Sequence, residues 1–178
     1  MRKILHNNLS EMIRDAKTFL ILTHKRPDGD AISSSLAMFW YLLDKGKKET
    51  SIDVIIPEYS DEFSFINGIE HLKAEPTREK YDLAILVDCA ELRMLKGGKY
   101  LKLASKTVCI DHHEKMFSYA HYNVVDTEAA SCTSIIFEIL PCTRKNYLTC
   151  IATGLISDTS NLTLNVTPKA RNIIERLE

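Results

Sequence analysis

Three short apolar runs each stop at an ionisable residue, and that pattern limits the possible folds of this chain more than any other. Phe19-Leu20-Ile21-Leu22-Thr23 runs into His24, the run over 82–87 into Asp88, and the run over 107–110 into Asp111, with His112-His113 behind it. Their apolar residues are consecutive, which predicts strands buried on both faces. Helical spacing fills the gaps. It predicts a helix over 5–17 (Leu9, Met12, Ile13 and Ala16 on one side, Asn8 and Glu11 as a capping box) and one over 31–45 that stops at Gly46. Further helices are predicted over 131–140 with Ser131 as cap, over 146–156, and over 169–177 behind Pro168. A strand is predicted over 51–56, a short helix over 61–67, a loop at Gly97-Gly98 and a turn or short helix over 99–104. Strands alternating with helices predict an α/β fold, a Rossmann-like and mainly parallel sheet flanked by helices. Such sheets bind ligands beyond the carboxyl ends of their strands, where His24, Asp88 and Asp111 would converge.

The 178 residues, 45% of them hydrophobic, suffice for one domain over 1–178 with a proper core. Net charge is −1, so there is no global basic field to hold long nucleic acid non-specifically. Cys89, Cys109, Cys132, Cys142 and Cys150 are scattered singly, without metal-knuckle spacing. They imply a reducing compartment, and a cytoplasmic location is expected. The N-terminus is too polar for a signal peptide, and no apolar run reaches membrane-spanning length.

The chemistry gathers in His24, Asp28, Asp30, Asp88, Asp111, His112, His113 and Asp158. Taken singly, Asp28 and Asp30 read as turn residues, Asp30 as a helix cap, and the histidines as partly buried polar groups. Taken together at one sheet edge, five carboxylates and three imidazoles call for cations. Mixed nitrogen and oxygen ligands suit manganese, iron(II), cobalt or zinc, with magnesium at an oxygen-rich position. So many anions suggest two ions, about 3.5–4 Å apart, an arrangement suited to in-line hydrolysis of phosphoesters. Asp88, on a central strand, is the natural bridge. Gly29 is expected to let the chain fold back tightly. Elsewhere the bland readings hold: Ser33-Ser34-Ser35 opens a helix without nucleophile context, and Lys96, Lys99 and Lys102 form a solvent-facing turn or a basic rim. His6, His71 and His121 are expected on the surface, and Trp40 and Tyr41 in packing.

His24-Lys-Arg-Pro-Asp-Gly-Asp-Ala31, Val87-Asp88-Cys-Ala90, Asp111-His112-His113 and Ser157-Asp158-Thr159 resemble motifs I to IV of the DHH phosphoesterases, in family order. The Pro-Asp-Gly-Asp-Ala form resembles the bifunctional oligoribonuclease and pAp phosphatase branch, and also RecJ-type exonucleases, more than the pyrophosphatases. The resemblance implies that His24 and Asp28 bind a first metal, that Asp30, His112 and Asp158 bind a second, and that Asp88 bridges them. It implies that His113 contacts the scissile phosphate or helps protonate the leaving oxygen, and that Asp111 orients a histidine. The two divalent cations would be manganese, with magnesium or cobalt as alternatives. The implied substrates are short RNA or DNA oligonucleotides or pAp-like nucleotides, and a homodimer is compatible with the family. Ser160 stands where the family has Gly after Asp-Thr, and Ser33 where Gly is common. The family normally adds a C-terminal, glycine-rich DHHA1-type substrate-binding domain, and no such segment follows here, so a cut or naturally short catalytic domain is expected. The alternatives are a non-catalytic nucleotide-binding or regulatory module, an inorganic pyrophosphatase or a RecJ-type exonuclease.

Overall fold

The computed structural model describes residues 2–95, 98–114 and 119–177. Lys96, Gly97 and the side chain of His6 lie outside the described residues. The strands are β1 (Phe19–Leu22), β2 (Ile52–Ile55), β3 (Leu72–Lys73), β4 (Tyr81–Val87), β5 (Ala104–Asp111) and β6 (Tyr122–Val125). They form one sheet in the order β3-β2-β1-β4-β5-β6, and every pairing is parallel. β1 lies at the centre, with Phe19 aligned to Ile52 on one side and to Leu83 on the other. The chain runs outward from β1 to β3 and then returns to β4. The strand order therefore reverses between β1 and β4, where doubly wound sheets open a crevice.

Successive residues of a strand face opposite sides, so an unbroken apolar run feeds two cores. Phe19, Ile21, Leu83, Ile85, Val108 and Ile110 face the larger core. It is closed by α1 (Arg2–Asp15), α2 (Gly29–Asp44), α3 (Cys132–Ile139), α4 (Lys145–Asp158) and α5 (Pro168–Leu177). Leu20, Leu22, Ala84, Leu86 and Cys109 face a smaller core. A 3-10 helix at Gly98–Leu103 covers it, with Tyr119 and Ala120. Each aliphatic side chain fully buried in these layers contributes roughly 1.5–3 kcal/mol. The five cysteines are buried and unbridged.

Several boundaries differ from expectation for physical reasons. α2 starts at Gly29 because Asp28, not Asp30, is its cap: the Asp28 backbone is extended and its carboxylate accepts from Ala31 N at 3.0 Å. α1 runs straight through Asn8, so no capping box forms there. α4 extends to Asp158, two residues past the expected end, and puts that carboxylate on its last turn. Ser131 does cap α3, paired reciprocally with Ser134. The segment expected as a helix over 61–67 holds only a 3-10 turn at Asp61–Phe63. β3 and β6 have no counterpart in the sequence reading.

Candidate metal centre

Each strand end brings one group to the crevice. Thr23, the last residue of the β1 run, donates its hydroxyl to Val87 O at 2.9 Å, which locks the ends of β1 and β4 side by side. His24 and Asp88 leave these two ends. Asp88 donates its backbone N–H to Ile110 O at 3.0 Å, and its φ is +50°. That left-handed conformation costs a non-glycine residue of order 1–3 kcal/mol, a strain that collects at functional positions. It turns the carboxylate out of the strand and into the cluster.

His24 has one ring face settled. Nδ1 donates to Lys25 O at 2.7 Å, which leaves Nε2 for the cluster, and it points at Asp88 (3.5 Å) and Asp28 (4.0 Å). His112 Nε2 lies 3.2 Å from Asp158 Oδ2 and 3.5 Å from Asp88 Oδ1. Both histidines therefore address Asp88 from opposite sides. His113 stands at the mouth, half exposed. Its Nδ1 donates to Asp111 Oδ1 at 2.8 Å and its backbone N–H to the same oxygen at 3.1 Å, which turns Nε2 away from Asp111.

Asp30 is the most enclosed member, with no exposed surface. Its Oδ2 accepts from Cys132 N at 2.6 Å, and its Oδ1 from Thr133 N at 3.1 Å and Thr133 Oγ1 at 2.7 Å. These amides open α3, so Asp30 ties α2 to the positive end of α3. Glycines make the approach possible. A Cβ on Gly154 of α4 would lie 2.5 Å from Asp30 Oδ1 and from Thr133 Cγ2. A Cβ on Gly29 would lie 2.5 Å from Ser157 Oγ. Gly29 has no positive φ, so it serves close helix–helix contact and not the tight reversal expected from sequence.

Behind Asp158 the chain takes three consecutive left-handed residues, Ser160, Asn161 and Leu162, with φ of 47°, 59° and 62°. Thr159 holds the turn: its carbonyl accepts from Thr163 N and Leu164 N, and its hydroxyl from Leu162 N. Ser160 is thus the first of these left-handed residues, at the position where Gly was expected.

The electrostatics are those of anions crowded without compensation. Burial first, then the charges of Asp88 and Asp158, push Asp30 well above the usual carboxylate range. Burial raises Asp28 too. Burial also works against the charge on Asp88, but the imidazoles of His112 and His24 beside it outweigh that and hold Asp88 low. His24 rises to about 9, chiefly through Asp88. Burial opposes the charge on His112, yet Asp158 and Asp88 carry it up to about 11. His113 is raised by Asp111. Among the described residues, buried Asp88 Oδ1 and His112 Nε2 have no hydrogen-bond partner, at 3.5 Å from each other. Such atoms have an electrostatic reason to take a cation.

Two ligand groups emerge from distance alone. His24, Asp28 and Asp88 bring donor atoms within 4.8 Å of one another, and so do Asp30, His112 and Asp158. A third group, Asp88, Asp111, His112 and His113, overlaps both through Asp88 and His112. Imidazole nitrogens together with carboxylates in excess fit divalent cations. All eight residues singled out from sequence lie in this one cluster. Sequence reasoning missed Cys132, Thr133 and Gly154, which hold Asp30 in place. Their signal was faint: Thr133 is a helical threonine in a serine-rich start, and Gly154 a glycine inside an apolar helix. His71 and His121 stand outside the cluster. His71 pairs with Glu49 at 3.0 Å and stacks on Phe39, and His121 Nδ1 accepts from Thr107 N at 3.1 Å, tying β6 to β5.

Known proteins resemble this chain in sequence and in fold. The chain is 24% identical over 183 aligned positions to the cyclic-di-AMP phosphodiesterase PdeA of Listeria monocytogenes, covering 91% of this chain and 28% of that protein. It is 28% identical over 166 to the bifunctional oligoribonuclease and PAP phosphatase NrnA of Thermus thermophilus, covering 88% and 48%. Against NrnA of Bacillus subtilis it is 29% identical over 135, covering 73% and 41%. The chain thus spans less than half the length of these relatives. A crystal structure of an exopolyphosphatase-related protein from Bacteroides fragilis has the same fold, with TM-score 0.85, 21% identity, and 98% of this chain and 56% of that one covered. So does the exonuclease RecJ bound to manganese, with TM-score 0.58, 16% identity, and 98% and 46% covered. Residues 18–155 match the model of the DHH family N-terminal domain, and the chain belongs to that family.

Proposed function

We propose that this domain is a divalent-metal-dependent phosphoesterase acting on short oligoribonucleotides or on the 3′-phosphate of pAp. One observation carries the reading: Asp88, low in pKa and buried, sits between two imidazole nitrogens that belong to two separate ligand groups. His24 and Asp28 would hold one cation, Asp30, His112 and Asp158 the other, and Asp88 both. Bound there, two divalent ions would supply Lewis acidity to the phosphate and a lowered pKa to a water. Manganese is the first choice for the pair.

The chain's own residues supply the rest. His113, at the mouth with Nδ1 anchored on Asp111, holds a proton at Nε2 above its ordinary range, because Asp111 stabilises the charged ring. It is placed to bind a phosphate oxygen and to hand a proton to the leaving oxygen. Asp30 is held by its three hydrogen bonds to the start of α3. Thr23 and the left-handed Asp88 keep the two strand ends in register, so positioning is built into the sheet.

Calorimetric titration with manganese of the native chain and of Asp88→Ala tests the site. The native chain should take up two ions and the variant should lose most of that affinity; equal affinities would refute the shared-carboxylate reading. Release of mononucleotide from a dinucleotide, or of phosphate from pAp, with manganese and abolished in Asp158→Ala, tests the activity. Pyrophosphate in the same assay separates an inorganic pyrophosphatase.

A further inference from the structure

Next to the cluster lies a cavity of about 620 Å³ that the chemistry above leaves unused. It opens between the turn from β1 to α2 and the segment that follows β2. His24 and Asp28 form the wall it shares with the cluster. Opposite them stand Pro57, Tyr59 and Phe63. Phe63 packs on the core beside Gly29, whereas Tyr59 is 37% exposed and lines the opening. Lys25 and Arg26 are exposed on the rim, and among the described residues neither side chain forms an ion pair. Arg26 is held at φ +55°, a conformation that disfavours a side-chain-bearing residue. Glu58 and Glu62 also line the cavity.

These walls differ from those of a simple anion site. A phosphate or a pyrophosphate would satisfy Lys25 and Arg26 and leave the aromatic wall without a function. A flat ring would satisfy Tyr59, Pro57 and Phe63 and leave the cations idle. One class of ligand uses both: a ring carrying a phosphate. The size agrees, since pockets for small ligands measure roughly 300–1,000 Å³.

We propose that this cavity seats a nucleotide unit next to the scissile phosphate, with the base against Tyr59, Pro57 and Phe63 and a non-scissile phosphate on Lys25 and Arg26. Base stacking on an aromatic tolerates any base, and Glu58 and Glu62 add acceptors for an exocyclic amino group. The inference rests on the phosphoester reading above for the identity of its ligand. It gives that reading a specificity: substrates with a base and a second phosphate are preferred over inorganic pyrophosphate.

The test is titration of the full chain with adenosine 5′-monophosphate in metal-free buffer, where rim cations rather than a metal must hold the phosphate. Inorganic phosphate is the control. The native chain should bind the nucleotide at least tenfold more tightly than phosphate. Tyr59→Ala and Arg26→Ala should each weaken it about tenfold, and Tyr59→Phe should restore it. Nucleotide and phosphate of equal affinity, or an unmoved affinity in both alanine variants, would overturn the proposal. Manganese titration and dinucleotide hydrolysis by the native chain run alongside. Hydrolysis combined with unmoved nucleotide affinity in the variants removes the cavity and keeps the phosphoesterase. Nucleotide binding through the cavity without hydrolysis keeps the cavity and removes the phosphoesterase.

Discussion

Gly154→Ala sets two physical effects against each other with opposite sign. Alanine in the middle of a helix such as α4 is favoured over glycine by about 1 kcal/mol, so propensity alone predicts a more stable protein. The structure predicts the reverse. The new methyl carbon would lie 2.5 Å from Asp30 Oδ1, 2.5 Å from Thr133 Cγ2 and 2.6 Å from Thr133 Oγ1, closer than any ordinary contact. Those atoms cannot swing aside, since Asp30 is fixed by three further contacts to α3 and both residues are buried. Overpacking costs roughly 1–3 kcal/mol, and stretching a hydrogen bond to a carboxylate about 1.5–3 kcal/mol. Against the helical gain, the net loss is about 1.5–5 kcal/mol, a fall in Tm of roughly 3–20 °C for a chain of this size. Urea unfolding followed by circular dichroism measures it, with the midpoint shifted and the slope unchanged. Thr133→Ser removes Cγ2 and keeps the hydroxyl, so the double variant should recover part of the loss. A Gly154→Ala protein as stable as the parent, or more so, would refute the close approach that positions Asp30.

Other expectations concern protons and buried charge. Without metal, His24 titrates near 9 and His112 near 11, so both are charged at pH 7 and must release protons to ligate a cation. Manganese affinity should therefore rise with pH from 6 to 8, up to about a hundredfold per unit, and titration heats should differ between buffers of unlike ionisation enthalpy; identical heats would exclude it. Asp82 accepts from Lys17 N, Thr18 N and Thr18 Oγ1, and these bonds hold its pKa below the ordinary range. A depressed folded pKa stabilises above the unfolded value of about 3.9 and is lost as pH falls through the folded value. Asp82→Asn should cost about 1 kcal/mol or less at pH 7, with the gap closing in acid, and a gap that stays constant would count against the bonds. Asp53 is fully buried on β2 between Lys73 Nζ at 2.5 Å, Thr77 and the Tyr81 hydroxyl. Asp53→Ala strands those partners and should cost about 3–5 kcal/mol in the same unfolding assay; a loss below about 1 kcal/mol would show the network to be dispensable.

Sequence legibility followed burial. β1, β4 and β5 are central, bury both faces and therefore appear as unbroken apolar runs, which also fixes which residues leave their ends. β3 has two residues and β6 four, both at sheet edges and partly exposed, so neither carries a period long enough to read. The eight cluster residues were legible because chemistry at strand ends does not depend on exact boundaries. The supports of Asp30 were not, because Thr133 and Gly154 act through contacts more than a hundred residues from it in sequence, a relation no local pattern expresses. Asp28 took the cap role that the sequence offered to Asp30, since the choice between two caps two residues apart depends on which carboxylate α3 receives.

The left-handed turn over 160–162 has a consequence for when this part of the molecule is native. Three side-chain-bearing residues coiled against their chirality carry roughly 3–6 kcal/mol of unfavourable backbone energy. A few bonds centred on Thr159 offset it. Opening the segment from Asp158 to Leu164 thus returns stored energy, and it should occur far more often than global unfolding. In amide exchange these residues should trade protons early while β1 and β4 stay protected. Asp158 is the one carboxylate of the cluster carried on that yielding end. A cation that engages it should slow exchange across the turn, at amides that never touch the ion.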